Sequence, residues 1–359
     1  MINMNLNAFI SKKANPVNFS TSWEAPSNIA LIKYWGKQDL QIPKNPSLSF
    51  TLSSSVSKTE INFRPAISGI FDFHFYFDGT LKPEFKPKLQ IFFKRVEPYI
   101  PWIKGHELII KSQNTFPHSS GIASSASAMA ALSLCLMDLE RHFNPGMNNT
   151  FFNQKASFLA RLGSGSATRS IQGPVTLWGE NKTLKTCSNL YAISYEKDLN
   201  PVFKSYQDTI LLVDKGAKAV SSSKGHNLMH HHPFAANRFL QASDNLTSLL
   251  SIMKSGDLDA FINIVELEAL SLHAIMLTST PYFILMKPNT LEIIQRICSF
   301  RTSLKLPICF TLDAGANIHL LYPSDYIKDV IAFIDQELKP FCQNGQYLSD
   351  QVGEGARKL

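Results

Sequence analysis

The stretch "FPHSSGIASSASAMAA", residues 116–131, decides the fold. A loop of Pro, Ser and Gly runs into a helix whose first turn is serine and alanine. The N-terminus of a helix carries unpaired N–H groups and roughly half a positive charge, so it attracts phosphate. Gly121 lets the backbone approach a ligand closely, and the small residues 123–126 leave space for it. The loop is not a Walker A sequence, and a plain serine-capped helix is the alternative interpretation.

Around this stretch, strands and helices alternate in the first half of the chain. The patterns predict that residues 25–37 open as a strand, and that residues 46–64 form a hairpin. We also predict strands at 71–79 (with a turn at Asp78-Gly79) and 106–114, and helices at 88–100 and 124–143. Residues 157–180 read as a helix, a Gly-Ser turn, a short helix and a strand.

A second unit begins near residue 205 with the strand "QDTILLVDK", residues 207–215. Three amphipathic helices are predicted at 233–257, 258–279 and 289–300. Residues 307–323 read as two strands about a tight Asp-Ala-Gly turn. We therefore predict an α+β fold with domains at 1–206 and 207–359.

Composition excludes several classes of protein. The chain has 359 residues, 44% of them apolar and 18% charged, which suits two ordinary globular domains. We see neither a run of about 18 apolar residues nor a secretion signal. Five scattered cysteines argue against a disulfide framework and a thiolate zinc site, so a reducing cytoplasm is the simplest setting. The net charge of +7 is spread along the chain, which fits small polyanions better than nucleic acid.

Three further stretches carry candidate chemistry. In "RLGSGSATRS", residues 161–170, backbone donors and the forked guanidinium of Arg169 suit a carboxylate or phosphate. In "TLDAGAN", residues 311–317, Asp313 sits among small residues that leave room for a substrate. Lys33, Tyr34 and Lys37 of "KYWGK" place two cations beside aromatic rings. For residues 161–170 the alternative is a flexible turn with a surface arginine. For residues 311–317 it is an aspartate that only forms a turn.

The histidines of "VSSSKGHNLMHHHPF", residues 220–234, do not read as a metal site. His226 and His230 have i,i+4 spacing, but no carboxylate accompanies them and the HExxH pattern is absent. Adjacent histidines 230–232 on a helix would point in different directions. The serines 221–223 are of greater interest as anion donors.

Together these motifs resemble the mevalonate diphosphate decarboxylases of the GHMP kinase superfamily. The resemblance runs from about residue 22 to 322, and "KYWGK" and "GSGSATRS" match the decarboxylase branch. It implies the GHMP kinase fold: a ribosomal-protein-like N-terminal domain with a left-handed βαβ crossover, a ferredoxin-like C-terminal domain, and a site between them. The chain departs from the usual family residues at 118–120, Pro174, Ala316 and His226, the last standing where methionine is usual.

The resemblance also implies roles for individual residues. Asp313 meets the substrate's 3-hydroxyl, and Arg169 holds the substrate's carboxylate. Lys33 lies near both of these substrate groups. Further substrate contacts are expected from Asn28, Tyr34, Lys37, Ser164, Ser166 and Ser222, with Tyr34 and Lys37 at the diphosphate end. The ATP loop is expected to include Ser119, Gly121, Ser124, Ser125 and Ser127. Metal ligands are not identified.

The implied reaction converts ATP and (R)-5-diphosphomevalonate into isopentenyl diphosphate, CO2, ADP and phosphate, with Mg2+. Phosphorylation turns the 3-hydroxyl into a leaving group, after which the carboxylate leaves as CO2. A cytoplasmic homodimer without nucleic-acid or membrane partners is expected. The alternatives are a decarboxylase of the 5-monophosphate, a kinase that only phosphorylates the 3-hydroxyl, and a non-catalytic binding protein of this fold.

Overall fold

The computed structural model describes residues 6–66, 71–117, 122–216 and 222–359, and these form two β-sheets covered by helices. The strands within them are β1 (Phe19–Ile32), β2 (Ser47–Pro65), β3 (Asp72–Phe77), β4 (Thr80–Leu81), β5 (His106–Asn114), β6 (Val175–Trp178), β7 (Ala192–Ser194), β8 (Gln207–Leu211), β9 (Cys309–Thr311), β10 (Ile318–Tyr322), β11 (Tyr347–Gln351) and β12 (Arg357–Lys358). The α-helices are α1 (Lys86–Val96), α2 (Ser124–Phe143), α3 (Asn149–Gly163), α4 (Ser222–Leu228), α5 (Ala235–Ser255), α6 (Leu258–Leu277), α7 (Pro288–Leu304) and α8 (Ile327–Phe333). The predicted α+β class is confirmed.

The first sheet has the strand order β12-β1-β2-β5-β3-β4, with β6 paired to β2 and β7 to β6. The pairing of β3 with β5 is parallel, and α1 connects the two strands as a βαβ crossover. The other pairings in this sheet are antiparallel. The second sheet, β11-β8-β10-β9, is antiparallel throughout.

The predicted hairpin at residues 46–64 is wrong. The segment forms the single strand β2, which pairs with β1 along almost its whole length. Where a hairpin would need a turn, the backbone N–H groups of the three serines at 53–55 donate to the carboxylate of Asp350 on β11. A partner from the far end of the chain therefore satisfies groups that would otherwise have favoured a turn.

Strand β1 is interrupted where it enters the site. Pro26 has no N–H to donate, and the pairing with β2 shifts register between Pro26 and Asn28. A second shift falls between Ala30 and Ile32. Because a one-residue shift exchanges the faces of a strand, these irregularities set which side chains of β1 face the site.

Helix α2 forms where it was predicted and packs against β1, β2 and α3. Its small side chains, among them Ala126, Ala130 and Ala131, are fully buried. Small residues allow the helix to approach the sheet closely, and this fixes the position of its N-terminus.

Helix α6 is the one helix within the described residues that is long and apolar enough, by length and composition alone, to cross a membrane. Half of its apolar window is buried inside the protein, and its Glu268 is completely buried in contact with Arg238 on α5. These contacts are those of a core helix packed on the second sheet.

The two sheets share apolar packing. One buried cluster combines Ile29 and Phe50 of the first sheet with Ile210 and Leu321 of the second sheet, and Phe261 of α6 belongs to it as well. The last strand, β12, pairs with β1, so the chain's final residues lie with the first sheet. This shared packing holds the two halves together at the place where the site lies.

We expect Asp350→Ala to destabilise the protein by about 2–4 kcal/mol, because three backbone N–H groups lose a charged acceptor. Asp350→Asn, which keeps one acceptor oxygen, should lose less. The midpoint of urea unfolding measures the effect. Glu196→Ala is the control, since Glu196 forms an exposed pair with Lys204 whose loss should cost less than about 1 kcal/mol. Equal midpoints for wild type and Asp350→Ala would contradict this role.

Candidate active site

A polar cavity of about 280 Å³ lies where the end of β1, the 3-10 helix Gly165–Ser170 and the β9–β10 turn meet. Nine of the residues singled out from the sequence line it: Asn28, Lys33, Tyr34, Lys37, Ser125, Ser164, Ser166, Arg169 and Asp313. They come from stretches up to 285 positions apart (313 − 28), so only the fold brings them together.

The centre of the cavity is an ion pair between Lys33 and Asp313. Lys33 Nζ lies 3.0 Å from Asp313 Oδ1, and the lysine side chain is 1% exposed whereas that of Asp313 is 33% exposed. Burial lowers the pKa of Lys33, and the charge of Asp313 opposes this effect. Asp313 thus has one side against a buried cation and the other open to the cavity.

Glu268 holds the backbone beneath this pair. Its Oε2 accepts from the backbone N–H of Lys33 at 2.9 Å and also contacts the guanidinium of Arg238. Its Oε1 accepts from Asn245 at 2.6 Å. Glu268 is completely buried, so these donors satisfy a charge that is withdrawn from water. Sequence analysis missed it because a lone glutamate in an amphipathic helix looks like a solvent-facing residue.

Arg169 is held by two serines of β2. Its Nε donates to Ser49 Oγ at 2.5 Å and its Nη1 donates to Ser47 Oγ at 2.8 Å. Burial lowers the pKa of Arg169 to about 10, which leaves it charged at neutral pH. Two of its five N–H bonds are therefore used by described residues, and three have no partner among them and could serve a ligand. The guanidinium also lies 5.8 Å from the ring of Trp178.

Two buried polar atoms on the cavity wall have no hydrogen-bond partner within the described residues: Asn28 Oδ1 and the Tyr34 hydroxyl. The amide nitrogen of Asn28 is occupied by Ser170 Oγ and the carbonyl of Ser166. Burial raises the pKa of Tyr34, so its hydroxyl keeps its proton. Buried polar groups are rarely left unpaired, so these two atoms are candidates for ligand contacts.

Two glycines make room at this wall. A Cβ on Gly165 would lie 2.6 Å from the Tyr34 hydroxyl, and Gly36 has a φ of +97°. A side chain at either position would displace the KYWGK segment, so the glycines belong to the construction of the site.

Lys37 and Lys88 bring further positive charge to the cavity. Lys37 Nζ donates to Gln41 at 2.9 Å, and burial lowers the pKa of Lys37. Lys88, on α1, also lines the cavity, and its pKa is likewise lowered by burial. Lys88 was not identified from the sequence because it lies in a helix with several other lysines and prolines.

The serines of the site divide into two groups. Ser125, Ser164 and Ser166 lie on the cavity wall. The Ser164 hydroxyl is 3.4 Å from that of Ser125 and 3.4 Å from that of Ser166. Ser127 does not face it: its hydroxyl is completely buried and lies 2.6 Å from Ser57 Oγ. The expectation of a nucleotide contact at Ser127 is therefore wrong, because one turn of helix carries that side chain into the core.

Some sequence predictions fall on residues that lie outside the described part of the structure. These are Ser119 and Gly121 of the loop before α2, together with the neighbouring residues 118 and 120. Ser222 begins α4, but its side chain also lies outside the description. These assignments stay predictions.

A second, apolar cavity of about 80 Å³ adjoins the first. Its wall includes Phe75, Phe77 and Phe85, and Ser124 lies there at the start of α2. Ser125 and Lys88 line both cavities, so the N-terminus of α2 stands between a polar and an apolar compartment. This arrangement can hold a ligand with an apolar end and an anionic end.

The histidines pack against other side chains, and within the described residues no group of three or more His, Cys, Asp or Glu side chains could hold a metal ion. His226 instead packs at the KYWGK segment, and His232 lies 3.2 Å from the Thr278 hydroxyl. His273, which sequence analysis missed, lies with Nε2 3.1 Å from the backbone carbonyl of Asp313. The carbonyl can only accept, so His273 donates and braces the β9–β10 turn.

Family models match most of the chain. Residues 25–189 match a model described as "Diphosphomevalonate decarboxylase-like N-terminal domain", and residues 209–357 match one described as "Mevalonate 5-diphosphate decarboxylase C-terminal domain".

Individual proteins give the same result. A diphosphomevalonate decarboxylase of Ganoderma lucidum is 28% identical over 337 residues, which cover 88% of this chain and 81% of the relative. A phosphomevalonate decarboxylase of Haloferax volcanii is 25% identical over 308 residues, covering 84% and 87%. A solved structure of MDDEF in complex with MVAPP, AMPPCP and magnesium has a TM-score of 0.81 at 26% identity, covering 96% of this chain and 99% of that chain.

His273 makes stability depend on pH. Burial lowers the pKa of His273 from 6.5 to about 4, so between these values the unfolded chain binds a proton that the folded protein does not. His273 does not lower the free energy of unfolding above pH 6.5, and it lowers that free energy progressively as the pH falls toward 4. Between pH 7 and pH 5 the loss is about 2 kcal/mol.

Between pH 7 and pH 5, we therefore expect the free energy of unfolding to fall by about 2 kcal/mol less in His273→Gln than in wild type. Urea unfolding of both proteins at the two pH values measures the difference. Any constant destabilisation by the substitution cancels, because each protein is compared with itself. Parallel pH profiles would show that His273 is protonated alike in the folded and unfolded states.

Proposed function

The chain belongs to the diphosphomevalonate decarboxylase family, and we propose that it catalyses the ATP-dependent decarboxylation of (R)-5-diphosphomevalonate to isopentenyl diphosphate. ADP, phosphate and CO2 are the other products. The observation that carries the proposal is the charge of the polar cavity: Lys33, Lys37, Lys88 and Arg169 face a single described carboxylate, that of Asp313. Such a surplus of positive charge suits a substrate with a diphosphate, a carboxylate and an adjoining triphosphate.

The polar groups of the cavity suggest how the substrate is oriented. Arg169 has three N–H bonds without a partner among the described residues and lines the same cavity as Asp313, so it suits the substrate carboxylate. Tyr34 and Lys37 lie in the KYWGK segment and suit the diphosphate end. Asn28 Oδ1, which has no described partner, is an acceptor for a substrate hydroxyl.

The apolar cavity suits the base and ribose of ATP. Phe75, Phe77 and Phe85 provide flat apolar surfaces, and the N-terminus of α2 begins at the same wall. Ser125 and Lys88 lie at the passage to the polar cavity, where the phosphates would pass. The related structure with AMPPCP, an analogue of ATP, supports ATP as the nucleotide.

The residues present fit Mg2+ bound mainly through phosphates. Mg2+ in phosphoryl-transfer sites typically uses one or two carboxylates, waters and substrate phosphate oxygens. Asp313 is the carboxylate that lines the cavity among the described residues. The ion would neutralise phosphate charge during transfer.

Asp313 is placed to assist phosphorylation of the 3-hydroxyl. Its carboxylate is 33% exposed and can accept or orient the hydroxyl proton, while the ion pair with Lys33 holds it in position. Hydrogen bonds from Lys33 to Asp313 and from His273 to the Asp313 carbonyl fix the carboxylate in place. Positioning of this kind supplies a large part of the rate in phosphoryl transfer.

Decarboxylation then follows loss of the new phosphate. Departure of the 3-phosphate leaves positive character on C3, and the electrons of the C1–C2 bond then form the C2=C3 double bond as the carboxylate leaves as CO2. Arg169 orients the carboxylate, and the serines on β2 that hold Arg169 prevent it from following the departing group.

Assembly and location are further parts of the proposal. The family resemblance supports a homodimer. A reducing compartment such as the cytoplasm is supported by the five cysteines, all of which are free thiols in this structure. Sedimentation of the purified protein would decide the oligomeric state.

The second candidate substrate is the 5-monophosphate, because one relative is a phosphomevalonate decarboxylase. The deciding assay compares ADP release with mevalonate, its 5-phosphate and its 5-diphosphate, and traps CO2 in parallel. The proposal requires equal ADP and CO2 with the 5-diphosphate. ADP without CO2 would make the protein a kinase, and a preference for the 5-monophosphate would favour the second candidate.

We expect Asp313→Asn to reduce turnover by ~10³-fold or more while ATP still binds, because asparagine cannot accept a proton and carries no charge. Steady-state kinetics and nucleotide binding by calorimetry measure the two effects. Asp335→Asn, at a largely exposed site, is the matched control and should stay within about twofold of wild type. A rate above a tenth of wild type would remove Asp313 from the mechanism.

We expect Arg169→Gln to lower the rate of both ADP and CO2 formation by roughly 30- to 1000-fold. The reason is loss of a charge-assisted contact worth roughly 2–4 kcal/mol. Arg169→Lys should recover the rate only in part, because an ammonium cannot present two parallel donors. Circular dichroism checks that the loss of the Ser47 and Ser49 contacts has not unfolded the variants. Near-wild-type rates in a folded Arg169→Gln protein would reduce Arg169 to a structural role.

A further inference from the structure

His226 is buried against the KYWGK segment at the edge of the polar cavity. It is 6% exposed, and its ring centroid lies 4.4 Å from that of Tyr34 and 4.7 Å from that of Trp35. The preceding Gly225 allows this approach, since a Cβ there would lie 2.4 Å from Trp35. The imidazole is thus held by aromatic rings on two sides and cannot turn freely.

Its hydrogen bond to the backbone fixes the position of its proton. The backbone N–H of Gly36 donates to His226 Nδ1 at 2.9 Å, so Nδ1 carries no proton. Burial, together with the charges of Lys37 and Arg169, lowers the pKa of His226 to about 3, and the ring is neutral at pH 7. The single proton of the neutral ring therefore lies on Nε2.

Nε2–H has no hydrogen-bond partner among the residues that the structure describes, and His226 lines the polar cavity. Tyr34, whose ring packs on His226, also has a hydroxyl without a described partner, and Lys37 lines the same cavity. Two neutral donors and an ammonium at one end of a cavity form a site for a phosphate group. Neither donor requires a change of protonation on binding.

We propose that His226 is a substrate-binding residue, whose Nε2–H donates a hydrogen bond to a phosphoryl oxygen at the 5-end of the substrate. This inference rests on the proposed function, because it takes the mevalonate phosphates as the ligand. It also separates His226 from the reacting carbon: the residue binds and orients the phosphate end, while Asp313 and Arg169 act at the other end.

Two variants separate the two nitrogens of the ring. In His226→Asn the side-chain oxygen can replace Nδ1 as acceptor for Gly36, but nothing replaces Nε2–H. In His226→Gln the side-chain NH2 reaches the position of Nε2 and keeps a donor in the cavity, whereas the Gly36 contact is lost. The pair has nearly equal polarity and size, so each variant is the control for the other.

We expect His226→Asn to raise KM for the 5-diphosphate about 10- to 100-fold, which is the range for a hydrogen bond to a charged group. KM for ATP should change less than about threefold, and His226→Gln should recover most of the lost affinity. His226→Met, which fills the aromatic gap without a donor, should behave like His226→Asn. Thermal unfolding verifies that all three variants are folded.

Equal KM values for the Asn and Gln variants, or a parallel rise in KM for ATP, would overturn the assignment and leave His226 as a packing residue. If the wild-type protein turns over none of the mevalonate phosphates, the proposed function is wrong, and the phosphate contact of His226 is then tested by itself. Calorimetric titration with inorganic pyrophosphate, with AMPPCP present to occupy the nucleotide site, then decides the matter. Weaker pyrophosphate binding in His226→Asn than in His226→Gln sustains a phosphate contact, and equal binding rejects it.

Discussion

The site depends on an ammonium group that is almost completely removed from water. Lys33, at the end of β1, is 1% exposed, and such a charge is stable only with a partner close by. Asp313 supplies it from the β9–β10 turn of the second sheet. The pair therefore requires that two segments 280 residues apart meet, and the cavity lies where they do. Removal of the Asp313 carboxylate would leave the buried Lys33 without its partner, and an unpaired buried charge typically costs about 3–5 kcal/mol.

The same pairing explains why the neighbouring residues are so heavily hydrogen-bonded. Glu268, completely buried, fixes the backbone of Lys33 and is itself balanced by Arg238. Arg169 is held by serines of β2, and His273 braces the carbonyl of Asp313. Groups with little freedom to reorient suit a reaction in which charge moves from a hydroxyl to a phosphate and then to CO2, because no reorganisation is needed as the charge develops.

The sequence predicted the elements better than their contacts. Helix α2, strand β5 and the 3-10 helix that carries Arg169 form where local patterns placed them. The hairpin was wrong because the serines at 53–55 are bound by Asp350, a contact across nearly 300 residues that no local pattern records. Ser127 was wrong because a Ser-rich helix start does not reveal which of its hydroxyls faces the core.

By itself, the sequence determined the fold class, the family and the chemical types at the site, because these follow from local periodicity and from short motifs such as KYWGK. Only the tertiary structure decided how those groups pair. It placed Lys33 against Asp313, occupied two of Arg169's donors, and left the Tyr34 hydroxyl and Asn28 Oδ1 without described partners. The physical reason is that burial and charge compensation depend on residues far apart in the chain, so they exist only once both sheets have packed together.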